Sequence, residues 1–226
     1  MIVSESYTPV DYDFDVYHQM LSALPYMVAK ARTAAENDSA SYRGFHVGAA
    51  AFAINRANRS TGIFNGGNIK TKKTHEKVCA EKRSVKQAEK HGFEFIPGIV
   101  VVATTDKELI SEVNQHNIVT PTLPPCAECQ DPNGSVAGSP LVDSRHTLIL
   151  TTGIKRDIYQ VHSLGEIQAG FATGDGSSLQ EARPYFSWES SLQMYDFLRS
   201  QEQRIPLEGR RHDAQLAKLA LLTQMF

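Results

Sequence analysis

All three cysteines of this chain fall in two short segments, and that arrangement constrains what it can fold into more than any other feature. The segments are Cys79-Ala80-Glu81 and Pro125-Cys126-Ala127-Glu128-Cys129. An odd, low cysteine count argues against a disulfide framework. In a reducing compartment, clustered thiols point to metal binding or catalysis; three free structural cysteines are the plainer alternative. A Cys-x-x-Cys pair that opens a helix can direct two thiolates at one ion, and a third thiolate from another helix N-terminus completes three ligands. The fourth tetrahedral position then stays open for water, which marks catalytic rather than structural zinc. Zinc would lower the pKa of that water towards neutrality. Helix N-termini favour the thiolate form through their dipoles. Glu81, two residues after Cys79, can approach the open position without being a ligand. Its plainer alternative is a first-turn carboxylate favoured by the helix dipole.

Hydrophobic periodicity places these segments among alternating helices and strands. Tyr17 to Ala35 has helical spacing, with Pro25 expected to kink the helix or mark its start, and the polar stretch Glu36 to Arg43 closing it. Val47 to Ile54 is rich in small apolar residues and reads as a buried strand. Asn58-Arg59-Ser60 reads as a turn and Thr61 to Phe64 as its hairpin partner. Val78 to His91 reads as a helix with Val85 and Ala88 on its apolar face, ended by Gly92. Ile99 to Ala103 and Thr147 to Thr151 read as further strands, the first apolar throughout as in a central strand. Helix, two strands, helix, strand, Cys-rich turn and strand imply a layered α/β domain with a mixed sheet. Beyond Gly153 the signals weaken. Gly170 to Ser178 reads as a loop, and Ser190 to Ser200 and Asp213 to Met225 as helices, so residues 154–226 are expected to form a C-terminal extension packed on a zinc domain spanning 1–153.

With the cysteines so arranged, the sequence resembles the cytidine deaminase family, whose pattern is His-x-Glu or its cysteine variant followed by Pro-Cys-x-x-Cys. Here the first ligand position is Cys79, as in free-nucleoside deaminases, whereas deaminases of deoxycytidylate and of polynucleotides usually carry histidine there. Tyr42-Arg43-Gly44-Phe45-His46-Val47-Gly48-Ala49-Ala50 is similar to the family's Tyr-x-x-Phe-x-Val-Gly-Ala-Ala segment, and Gly66-Gly67-Asn68-Ile69 to the start of its Gly-x-Asn-x-Glu-Asn segment. The resemblance runs in order from about Met20 to Gly153. It implies a three-layer α/β/α cytidine deaminase-like fold with a mixed central sheet, here with a C-terminal helical extension, and one Zn²⁺ per chain held by Cys79, Cys126 and Cys129. It implies that Glu81 passes a proton from water to ring N3 and then to the leaving ammonia. It further implies that the Ala80 amide contacts the base carbonyl, that the Pro124 carbonyl lies near the departing amino group, that Phe45 packs on the base and that Asn68 hydrogen-bonds the sugar. For Phe45 the alternative is core packing; for Asn68 it is a left-handed turn after two glycines.

Three departures from the family bear on substrate and charge. Lys70 and Thr71 stand where nucleoside deaminases have Glu-Asn, a glutamate that binds a ribose hydroxyl. Lysine cannot accept a hydrogen bond, but it can bind phosphate or carboxylate. Lys70, Lys72, Lys73 and Lys77 precede Cys79, and Lys82, Arg83 and Lys86 follow it; a solvated face is the plainer account of such a run. Gln130-Asp131-Pro132-Asn133-Gly134 replaces the family's Arg-Gln and full helix, and should shorten that helix. The missing arginine removes a cation that would offset three thiolates; Arg83 and Arg145 are candidates to replace it.

The expected activity is zinc-dependent hydrolytic deamination of a cytosine-type nucleoside or close analogue. The alternatives are a pyrimidine nucleotide, a modified or free base, or a deaminase-like module that only binds. The expected partners are a small pyrimidine and further copies of the chain, as dimer or tetramer. A formal charge of -2 and a pI of about 6.4 disfavour a polynucleotide. Met1 to Asp15 lacks the pattern of a signal peptide, and the aliphatic runs are too short to span a bilayer, so the expected location is cytoplasmic.

Overall fold

The computed structural model describes residues 14–41, 44–70, 77–105, 125–144, 146–154, 158–165, 167–168 and 186–187. Helix α1 (Phe14–Ser22) and helix α2 (Leu24–Thr33) replace the one kinked helix anticipated over Tyr17–Ala35. Pro25 sits in the first turn of α2, where its missing N–H costs nothing, so it marks a start. A π-helical turn, Ala34–Asp38, continues α2 and is closed by Ser39 Oγ donating to the Ala35 carbonyl at 2.6 Å.

Strands β1 (Ala40–Ser41), β2 (Phe45–Ile54), β3 (Thr61–Gly67), β4 (Ile69–Lys70) and β5 (Lys77–Val78) lead into helix α3 (Ala80–Lys90), which ends ahead of Gly92. Strand β6 (Phe95–Thr105), the one-turn helix α4 (Ala127–Gln130), and strands β7 (Leu148–Gly153), β8 (Ile158–Ser163) and β9 (Phe186–Ser187) follow. The main sheet has six strands in the order β3-β2-β6-β7-β8-β9. Only β6 and β7 are parallel; the other neighbours are antiparallel, so the sheet is mixed, as anticipated. A second sheet of three short strands, β1-β4-β5, lies beside it.

The two faces of the main sheet separate by strict alternation. Ala50 and Phe52 of β2, Val100 and Val102 of β6, Leu148 and Leu150 of β7 and Tyr159 and Val161 of β8 join α1 and α2 in one core. Ala49, Ala51, Ala53, Ile99, Val101 and Ile149 face the other way, against Ala80, Val85 and Ala88 of α3 and against Cys79 and Cys129. This is the period-2 consequence of an extended backbone, and it produces the three-layer α/β/α arrangement. Each fully buried Ile or Leu contributes about 1.5–3 kcal/mol of transfer free energy. The small residues of β2 let α2 approach closely. A Cβ on Gly48 would lie 1.9 Å from the Ala31 carbonyl oxygen and 2.5 Å from the Ala35 nitrogen, so any other residue there would push the helix off the sheet.

β3 and β6 are longer than their hydrophobic runs suggested. β8 was not anticipated, although Tyr159 and Val161 alternate with polar residues and are buried. It pairs with β7 through Leu148–Ser163 to Thr151–Gln160, so the sheet continues past Gly153. The helices anticipated at Ser190–Ser200 and Asp213–Met225 lie outside the described residues. Among the described residues no helix is long and apolar enough to cross a membrane.

Candidate active site

Two helix starts converge on the α3 face of the sheet, and each begins at a cysteine. Cys79 is the N-cap of α3, with φ -73° and ψ 151°, and Cys126 is the N-cap of α4, with φ -67° and ψ 163°. Both are therefore extended residues that turn the chain into a helix. Cys129 follows one turn after Cys126; its amide donates to the Cys126 carbonyl at 2.9 Å. The Sγ atoms of Cys79 and Cys126 are 3.0 Å apart and those of Cys126 and Cys129 3.6 Å apart, and all three lie within 4.8 Å of one another. The cysteines are free; 3.0 Å is far beyond a disulfide bond of about 2.05 Å.

The donor set fits a zinc ion. Thiolates bound tetrahedrally at about 2.3 Å stand about 3.8 Å apart; the Cys126–Cys129 separation of 3.6 Å is close to this, and the Cys79–Cys126 separation of 3.0 Å is shorter. No fourth histidine, cysteine or carboxylate joins the cluster among the described residues. Electrostatics point the same way. Contacts with Cys129 and Cys79 stabilise a thiolate at Cys126 and drive its pKa down, helped by backbone N–H groups of Cys129 and Glu128. Contacts with Cys126 and Cys79, with burial, push Cys129 up; the contact with Cys126 pushes Cys79 up, opposed by the contact with Cys129 and helped by burial. A divalent cation would favour the thiolate form at all three.

Glu81 lies in the first turn of α3 and is 5% exposed. Burial pushes its carboxyl up to about 7, the negative charge of Cys126 adds to this, and a backbone hydrogen bond and the Lys70 ammonium oppose it. Such a group exchanges a proton readily at neutral pH. On α3, Glu81, Ser84, Val85 and Ala88 are all buried, so the helical stripe that packs the domain also carries the carboxylate to the cysteines.

The other anticipated residues lie at different distances from this chemistry. Ala80 is the fully buried first residue of α3, and its amide is among the N–H groups that an α-helix leaves without an internal partner. Asn68 is 2% exposed. Its Oδ1 accepts from the Val47 amide at 2.8 Å and its Nδ2 donates to the Phe45 carbonyl at 3.3 Å. The side chain thus fastens the β3–β4 junction to the start of β2, with one N–H and one lone pair to spare. Asn68 is not left-handed. Phe45 is half-buried at the edge of β2, and Lys70 half-buried in β4. Pro124, Lys72, Lys73 and Arg145 lie outside the described residues. Arg83 is engaged elsewhere than at the thiolates: its Nη1 donates to the carbonyls of Gly67 at 2.8 Å and Asp38 at 3.2 Å, tying α3 to β3 and the π-helical turn.

α4 has four residues, the shortening anticipated from Pro132. In place of further turns, Asp131 Oδ1 accepts from the Asn133 amide and the Asp131 carbonyl from Gly134. A Cβ on Gly134 would lie 1.9 Å from the Glu128 carbonyl oxygen, so this turn needs glycine. Sequence reasoning missed Gln130 as a support. It is buried, its Nε2 donates to the Pro125 carbonyl, and its own carbonyl accepts from Gln168 Nε2 at 2.5 Å. No local sequence signal identifies it, because both partners are set by the fold. Lys82 and Glu128 pair at 3.2 Å and bridge α3 to α4 at the surface.

No protein-family model and no curated protein matches the chain. Solved structures similar to it include a cytidine deaminase from Burkholderia pseudomallei, 20% identical over 63% of this chain and 94% of that one, with a TM-score of 0.44. They also include cytidine deaminases from Mycobacterium tuberculosis (20% identical, 64% and 92% covered, TM-score 0.40) and Mycobacterium leprae (17% identical, 64% and 95% covered, TM-score 0.41).

Proposed function

We propose that the chain is a zinc-dependent hydrolase that deaminates a cytosine-type nucleoside or a close analogue, releasing ammonia and giving the uracil-type product. The observation that carries this reading is a three-thiol cluster with no fourth protein ligand among the described residues, beside a buried carboxyl poised near neutrality. Cys79, Cys126 and Cys129 would hold the zinc. The ion would activate a water as nucleophile by lowering its pKa.

Glu81 is the proton carrier. It accepts a proton from the attacking water and delivers it to N3 of the pyrimidine; it then takes the proton of the hydroxyl now on C4 and delivers it to the amine, leaving a C4 carbonyl and an N3–H. Water adds its oxygen to C4, and the C4–N bond breaks to give ammonia. Ala80 offers a backbone N–H to the base carbonyl, and Pro124 a carbonyl to the leaving amine. Phe45 packs against the base, Asn68 turns its remaining hydrogen-bonding capacity to the sugar, and Lys70 contributes positive charge at the mouth. The reading of a zinc-stabilised binding module is weaker, because a structural site is closed by four protein ligands and has no use for a buried carboxyl.

The test is ammonia release by zinc-quantified protein on cytosine, isocytosine, cytidine, deoxycytidine, their monophosphates and ring- or amine-substituted cytidines. Turnover of one class, abolished in Glu81→Gln, supports the proposal. Silence on every compound with one zinc bound per chain refutes it.

A further inference from the structure

The short sheet whose last strand leads into Cys79 sets two lysines side by side. β4 and β5 are antiparallel, with Lys70 directly opposite Lys77 and Ile69 opposite Val78. Residues so opposed share a face, with Cβ atoms about 4.5–5.5 Å apart, and like charges there repel. Neither lysine is paired with a carboxylate among the described residues. Lys70 is half-buried rather than fully solvated. β5 runs directly into Cys79, whose extended φ and ψ prolong the strand. Side chains two apart on an extended backbone share a face, so Lys77, its partner Lys70 and the Cys79 thiol belong to one side. Lys70 is also near enough for its charge to act on Glu81. Lys77 is exposed, so the two ammonium groups are open to an anionic ligand beside the cysteine cluster.

We infer that Lys70 and Lys77 bind a phosphate monoester carried by the substrate, so that the molecule deaminated is a cytosine-type nucleotide. This rests on the deaminase reading and narrows it. A phosphate monoester carries about -1.5 to -2 at neutral pH, which matches two ammonium groups; one carboxylate would leave a lysine uncompensated. Lysine serves phosphate as a point charge, and two lysines on adjacent strands present those charges to one group.

The experiment measures binding without turnover, by calorimetry on the zinc-loaded full chain carrying Glu81→Gln. The probes are cytidine, cytidine 5′-monophosphate and inorganic phosphate. The nucleotide should bind about tenfold or more tighter than cytidine, the worth of one charge-assisted hydrogen bond. That preference should fall below about threefold when Lys70→Gln and Lys77→Gln are added and persist with Lys70→Arg and Lys77→Arg. Equal binding of nucleotide and nucleoside overturns the inference, as does a preference indifferent to the glutamines. Inorganic phosphate binding as tightly as the nucleotide would mean a free-anion site and overturns the substrate assignment. Should the glutamine variants not fold, salt decides: a preference unchanged between about 50 and 300 mM refutes an electrostatic origin. Ammonia release with Glu81 intact separates the two readings. Turnover of cytidine with no preference for the monophosphate sinks only the phosphate site; preferential binding with no turnover of either sinks only the deaminase.

Discussion

Replacing Glu81 by glutamine should stabilise the metal-free protein at alkaline pH while disabling the zinc-loaded one. The carboxyl is buried, and its pKa is pushed from an ordinary 4.5 to about 7, chiefly by that burial. At about 1.4 kcal/mol per pH unit, that gap corresponds to about 3 kcal/mol. The sign follows from linkage. A folded-state pKa above the unfolded value means the folded protein holds the proton more tightly, so this stability is complete below about pH 4.5 and lost as pH rises through about 7. Glutamine does not titrate and keeps it. Chemical denaturation of both proteins in chelator should therefore give stabilities within about 1 kcal/mol of each other at pH 5, with the variant ahead by about 3 kcal/mol at pH 8. With zinc restored, the variant should lose about 10²–10⁴-fold in turnover. A stability difference independent of pH, or one that shrinks as pH rises, would refute the buried-carboxyl reasoning. Full activity in the variant would refute the catalytic role.

Zinc binding should release about two protons per ion near neutral pH, because Cys79 and Cys129 are held protonated beside a Cys126 thiolate. Calorimetry in buffers of different ionisation enthalpy measures this, and no release would contradict the cluster's charge state. Cys126→Ala should abolish stoichiometric zinc, checked by elemental analysis; retained metal would exclude these ligands. Gly134→Ala should cost about 1–3 kcal/mol in denaturant unfolding, since its methyl would meet the Glu128 carbonyl oxygen at 1.9 Å. Arg83→Gln should cost about 1–3 kcal/mol by stripping the Gly67 and Asp38 carbonyls of a charged donor; an unchanged midpoint would show that water replaces the guanidinium.

The candidate site was legible in the sequence because its parts are local. A cysteine that ends a strand and opens a helix places a thiol at that helix start wherever the helix packs, and Glu81 is bound to Cys79 by helical geometry. Short continuous apolar runs likewise marked β2, β6 and β7, and Pro132-Asn133-Gly134 marked the short α4. Tertiary structure decided what depends on distant partners. The alignment of α3 with α4 brings Cys79 to Cys126 across 47 positions of sequence. The β1-β4-β5 sheet, built from two-residue strands too short to leave a periodic signal, sets Lys70 against Lys77. Arg83 was a candidate to offset the thiolates and instead caps main-chain carbonyls, because its position on α3 faces the β3 edge. Asn68 and Gln130 take their partners from β2 and from the Pro125 loop, choices that no spacing encodes. Residue type and short-range periodicity specify which groups can react; only the packing of strands and helices fixes which of them meet.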